Sequence, residues 1–263
     1  MYNSKTTMRK SILLYILLLC SSLCFAQFSK KPTWKDEFSG KGPLNKEMWK
    51  LRVSKESSQL TTYTDNEQNV YLKGGKLHIK LFKNNDKEAL YPSGEVQTSK
   101  KYWFKKGKIE IRAKAPKSPG VWPAIWFNGP KTKDGYFAEL DLMEYIYAMG
   151  DSCYEAVYHL WGDFDGKKRN HVSFGEKVLI DVGKWHIYTL EVTDDKLLMK
   201  VDGKNVYEIV RGQYGEEWPQ DQEYMLRMDV AYGGWGASKT GTDDSALPAE
   251  MLVDYVRYYE FIE

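Results

Sequence analysis

The chain has 263 residues, 42% of them hydrophobic and 28% charged, with a formal net charge of +2. That is enough apolar material for one large core, and a balance so near neutral lacks the basic excess on which nucleic-acid binding depends. Four histidines, His78, His159, His171 and His186, are scattered without metal-ligand spacing, and the sequence contains neither a Ser/His/Asp grouping nor a glycine-rich phosphate loop.

Taken in order, residues 1–26 read as a secretory signal: Lys5, Arg9 and Lys10, an apolar run from Ile12 to Leu19, and small residues up to Ala26 before Gln27. The run is too short for a membrane span. Leu19 before Cys20 favours ordinary cleavage over lipid attachment, so a secreted or periplasmic protein is expected. Cleavage removes three cations and no acid, taking the net charge to −1, and leaves Cys153 alone, without an intrachain disulfide. Residues 27–33 read as an untied leader, and 34–263 as one domain, expected to be monomeric. Trp34 to Phe38 opens that domain as an edge strand.

Asn69 to Leu81 reads as a hairpin around Lys73-Gly74-Gly75-Lys76, and Asp202-Gly203 marks another between Lys196–Val201 and Asn205–Val210. Glu95–Phe104 and Gly107–Lys114 read as a further pair. In the second of these, Ile109, Ile111 and Ala113 share one face and Glu110, Arg112 and Lys114 the other, which is either solvent or cleft. Pro123 argues against an ordinary central strand over 121–127. Trp122 and Trp126 share a face if that segment is extended, as core residues or as a sugar platform. Gly162 to His171 is a polar loop whose cations suit either a solvated tip or the rim of a cleft, and 216–223 is at best one helical turn. Many short strands, regular turn signals and the lack of a convincing long helix predict an all-β protein of two antiparallel sheets packed face to face.

The most informative stretch is Glu139-Leu140-Asp141-Leu142-Met143-Glu144. On a plain strand Glu139 and Asp141 point one way and Glu144 the other. A β-bulge at Leu142-Met143 sends both apolar side chains to the core and aligns the three acids on one face. With four effective steps between them, the Cα atoms of Glu139 and Glu144 lie roughly 13 Å apart, a gap that two inward-leaning side chains can largely close. Carboxyl groups about 5–5.5 Å apart suit a retaining glycosidase, one attacking the anomeric carbon and the other serving as acid and base. The row also fits the wet face of a half-buried strand. The surrounding aromatic residues favour a sugar surface, because pyranose rings stack on aromatic faces while their hydroxyls bond carboxylates.

The bulged Glu-x-Asp-x-x-Glu row together with Trp122-Pro123-Ala124-Ile125-Trp126 resembles glycoside hydrolase family 16, close to its bacterial laminarinase-like members. Similar stretches run through Trp34–Phe38, Tyr63–Asn66, Gly107–Lys114, Trp185–Tyr188, Gly233–Gly236 and Met251–Arg257. The resemblance implies a β-jelly-roll sandwich whose concave sheet forms an open cleft for an extended polysaccharide. It also implies retaining endo-hydrolysis without a catalytic cofactor, with Glu139 as nucleophile, Glu144 as acid/base and Asp141 as assisting carboxylate. Trp122, Trp126, Asn66, Arg112, His159 and Trp235 match substrate-binding positions. Glu37 and Asp254, with a backbone carbonyl near Gly75, match a structural calcium site of many members; a salt bridge or surface carboxylates are the alternatives there. Ala138, Leu140, Leu142 and Tyr136-Phe137 depart from the laminarinase-like pattern. The substrate expectation is therefore a β-1,3- or mixed-linkage glucan, with agar-, keratan- or N-acetyllactosamine-type galactans as the alternative and a non-hydrolytic binding sandwich as the third reading.

Overall fold

The computed structural model describes residues 27–55, 58–130, 137–162, 171–213 and 222–262. The back sheet runs, in spatial order, β16 (Lys204–Val210), β15 (Lys196–Val201), β14 (His186–Val192), β9 (Gly107–Lys114), β18 (Ala249–Glu260), β6 (Leu77–Leu81) and β5 (Val70–Leu72), with β1 (Trp34–Asp36) also on β18. The front sheet runs β13 (His171–Val178), β12 (Tyr154–Trp161), β11 (Phe137–Glu144), β10 (Val121–Asn128), β17 (Met225–Tyr232), β8 (Glu95–Thr98) and β2 (Trp49–Leu51). A small third sheet holds β3 (Ser54–Lys55), β4 (Thr61–Tyr63) and β7 (Tyr91–Ser93).

Alternation drives this packing. On β9, Ile109, Ile111 and Ala113 are buried, and on β14 so are Tyr188, Leu190 and Val192. They meet Ile125 and Phe127 of β10, Leu140 and Leu142 of β11, and Tyr154 and Tyr158 of β12 in one continuous core. Tyr154 meets Tyr188 edge-on across the two sheets, ring centroids 5.8 Å apart. Both glycine-marked hairpins form as expected, and in the second Asp202 and Gly203 take φ of 49° and 76°. That left-handed pair gives the turn the same twist as its strands.

Several expectations need correction. Glu95–Thr98 and Gly107–Lys114 do not pair: β8 lies on β17 in the front sheet, whereas β9 lies between β14 and β18 in the back sheet. A short 3-10 turn at Lys100–Tyr102 and a bridge from Phe104 to Tyr224 carry the chain between sheets. Pro123 sits within a central strand after all. Its carbonyl accepts from the Tyr145 amide at 3.2 Å, so its nitrogen points to the β11 side just where that strand has ended, and the ladder loses little. The leader is tied down: Phe28 bridges Phe261, and the Ser29 amide donates to Glu260 O at 2.8 Å. The signal segment, the cation cluster of 167–169 and most of 216–223 lie outside the described residues.

Leu140 is fully buried in the middle of the front sheet. Leu140→Ala is expected to cost about 2–5 kcal/mol of stability through lost burial and a residual cavity, read as a lower urea midpoint without a change in slope.

Candidate active site

Strand β11 carries the predicted bulge. Asp141 faces Val157 of β12 and Glu144 faces Glu155, so Leu142 and Met143 together oppose Ala156 alone. Both bulge side chains are fully buried. On the other flank Trp126 faces Asp141, and Ile125 faces Met143, so Leu142 is the extra residue there too. The insertion returns Glu144 to the face of Glu139 and Asp141, and all three line one cavity of about 200 Å³ with Trp122 and Trp126. A second recess of about 410 Å³ is walled by Glu139, Glu144, Trp122, His159, Trp161 and Trp235. Glu139, Glu144 and Trp122 are therefore the wall common to both halves of the cleft.

Neighbouring groups fix the row. The Trp122 indole donates to Glu144 Oε1 at 3.0 Å, and His159 Nε2 lies 2.8 Å from Asp141 Oδ2. Acceptor and donor atoms of Glu139, Asp141 and His159 all lie within 4.8 Å of one another. Burial, reinforced by the Asp141 charge, pushes the Glu139 carboxyl up to about 7. The same causes, in the same order, raise Glu144 well above the carboxylate range, while the Trp122 hydrogen bond opposes the rise. Both carboxyls are thus biased toward the protonated form, and the Asp141 charge between them adds to the effect of burial on each.

The six predicted substrate-binding residues fall as follows. Trp122, Trp126, His159 and Trp235 all line the cleft, with Trp235 edge-on to Trp122 at 5.6 Å and 37% exposed. Arg112 does not. It lies on the polar face of β9, on the outside of the back sheet, where it bonds Asp254 at 2.6 Å and covers the Trp185 ring at 4.7 Å. Asn66 is likewise outside the cleft lining: it is exposed, and its side chain accepts from the Gln68 amide at 2.9 Å to close its own turn. The expected calcium set does not fit. Both Glu37 oxygens are held by the Arg257 guanidinium, at 2.9 and 2.8 Å, and Asp254 is matched to Arg112 and Lys76, so the carboxylates already have cationic partners.

Sequence reasoning missed the opposite wall of the cleft. Asp229, 5% exposed, accepts from Tyr63 Oη at 2.6 Å and the Trp126 indole at 2.8 Å. Glu95, 1% exposed, binds Arg227, whose guanidinium lies 3.9 Å from the Trp126 ring centroid, and takes Arg52 at 3.1 Å. The signal was present in Arg227-x-Asp229 and Glu95-x-Gln97, polar residues two apart between buried apolar ones. Only the β8–β17 register, with Arg227 opposite Gln97 and Asp229 opposite Glu95, joins them into one network.

The sequence pattern of the glycosyl hydrolases family 16 matches residues 54–257. The chain belongs to that family. This family 16 hydrolase is 30% identical to a beta-glucanase of Rhodothermus marinus over 98% of its own length and 96% of the relative's. The fold of the laminarinase from Rhodothermus marinus superposes on it with a TM-score of 0.79, at 26% identity, over 90% of this chain and 99% of that one. A chain solved in work on endo-acting O-glycanases, with which members of the human gut microbiota initiate mucin breakdown, gives 0.76 at 29% identity, over 90% and 92%. Like its family, the protein is a retaining glycosidase that needs no catalytic cofactor.

Asp141 raises both neighbours by its charge. Asp141→Asn is expected to shift both limbs of the kcat/KM profile to lower pH. The acidic limb follows an easier ionisation of Glu139, and the alkaline limb an earlier proton loss from Glu144; pH profiles of the two proteins check this.

Proposed function

We propose that the protein is an exported, monomeric endo-β-glucanase that cuts β-1,3- or mixed-linkage glucan by double displacement. The observation carrying this reading is that Glu139 and Glu144 stand where the two halves of the cleft meet, flanked by Trp122. A glycan lying along both recesses has its scissile bond against these carboxylates. Glu139 attacks the anomeric carbon as Glu144 gives its proton to the leaving oxygen; Glu144 then takes a proton from water, whose oxygen displaces Glu139. Asp141 keeps the Glu144 proton in place between turnovers, and its bond to His159 holds it beside the pair.

The relatives support a glucan because the beta-glucanase matches nearly the whole chain. The likeness to a keratan-sulfate endo-1,4-beta-galactosidase of Sphingobacterium multivorum, 27% identical over 86% of this chain, supports a second reading, an endo-acting enzyme on galactose-containing chains. In either case the apolar indole faces of Trp122 and Trp126 supply stacking that does not depend on hydroxyl stereochemistry, so the walls around them decide between substrates.

Laminarin and lichenan are expected to yield oligosaccharides, with the β-anomer appearing first in an NMR time course. Glu139→Gln should lower kcat by at least about 10³-fold, the scale lost with an essential catalytic group, while glycan binding persists. Intact laminarin and lichenan beside a cleaved galactan would transfer the assignment to the second reading.

A further inference from the structure

His171 opens β13, directly opposite Trp161 of β12, and so shares a face with His159, which lies two residues before Trp161. Its ring lies over the Trp161 indole, centroids 3.9 Å apart and planes 14° apart. Its Nε2 is 2.7 Å from His159 Nδ1. The other nitrogen of His159 is 2.8 Å from Asp141. A line of hydrogen bonds thus runs from the solvent edge of the sheet, through two imidazoles, into the catalytic row.

The chemistry of this line is restricted. His159 Nε2 faces a carboxylate oxygen and must carry a proton, because a lone pair there opposes the oxygen's own. Only one proton fits between Nδ1 of His159 and Nε2 of His171. Either His159 is cationic and donates to a neutral His171, or His159 is neutral and His171 donates to it. His171 can satisfy His159 in both states by exchanging its own tautomer. The groups facing His159 are Glu139, Asp141 and Glu144 from β11, Glu155 from β12, and His171 from β13; Arg227 of β17 reaches Glu139 from the far wall.

We propose that His171 is a positioning residue which accepts a hydrogen bond from the second N–H of a cationic His159 and thereby holds that cation beside Asp141 and Glu139 during turnover. This inference rests on the hydrolase reading of the site. The surroundings agree with it. Burial depresses His159, but Asp141, Glu139 and Glu155 outweigh that and raise it, whereas burial and the neighbouring His159 charge lower His171. The shared positive charge therefore resides on the inner ring. There it favours the ionised form of Glu139. The stack on Trp161 holds the outer ring in the plane needed to accept that hydrogen bond, and proton exchange with solvent takes place at His171 Nδ1.

The test uses His171→Ala and His171→Gln in the full chain, the glutamine oxygen being able to accept from His159 Nδ1 but not to exchange a tautomer. For His171→Ala the acidic limb of kcat/KM on laminarin is expected to move up by about one pH unit, the size of an ordinary neighbour effect. Loss at low pH should appear in kcat more than in KM, and His171→Gln should restore most of it. Imidazole ¹H–¹⁵N spectra give a readout independent of turnover: the His159 midpoint should fall in the alanine variant and recover with glutamine. Unchanged His159 titration in His171→Ala overturns the proposal, as does a moved midpoint with an unmoved acidic limb. If the parent cleaves no glycan, the hydrolase reading fails, and the spectra still decide the proton-sharing between the two rings.

Discussion

A pleated strand sends alternate side chains to opposite faces, so it can bury two neighbours in succession only if one residue is added on that side. At Leu142-Met143 the front sheet accepts that insertion because two fully apolar side chains gain a core environment. The hydrophobic gain and the placement of Glu144 are the same event: a strand in ordinary register either exposes one of the bulge residues or buries a carboxylate among Leu140, Phe127 and Tyr154. Core packing thereby specifies the spacing of the three acids.

The cost of collecting acids on one face is electrostatic. Glu139, Asp141 and Glu144 lie close together with little water, and their mutual repulsion is offset by raised proton affinities and by His159 and Trp122. The opposite wall shares the problem: burial and the Glu95 charge push the Asp229 carboxyl up to about 7. There Arg227, Arg52, Tyr63 and the Trp126 indole occupy the oxygens of Glu95 and Asp229. Breaking one member of such a network leaves a buried charge unmatched, which gives the wall its rigidity. Trp126 is held there by its ring nitrogen on one side and covered by a guanidinium, so its ring is fixed in the cleft wall by contacts within the protein.

Much of this was legible in the chain itself. Period-two alternation identified β9, the Asp202-Gly203 and Gly74-Gly75 turns placed two hairpins, and the odd spacing from Asp141 to Glu144 pointed to a bulge. Sheet membership was not legible, because alternation reports that a strand has a wet face without saying which sheet owns it. Arg112 was misplaced for that reason: its strand has the right pattern but faces solvent on the outer side of the sandwich. Pro123 misled because the rule against central prolines assumes a partner strand on both flanks, and β11 ends there. The leader, the buried acid wall and the His171 stack depend on contacts between residues far apart in the chain, which no local pattern encodes.

The central claim is that the inserted residue presents Glu139 as the attacking group and Glu144 as its proton-handling partner. Covalent trapping tests it most directly: a β-glucan oligosaccharide carrying fluorine at C2 and an activated leaving group slows departure of the glycosyl-enzyme, and peptide mass spectrometry locates the sugar. The account predicts a single adduct on Glu139. An adduct on Glu144, or on a carboxylate outside β11, would contradict it.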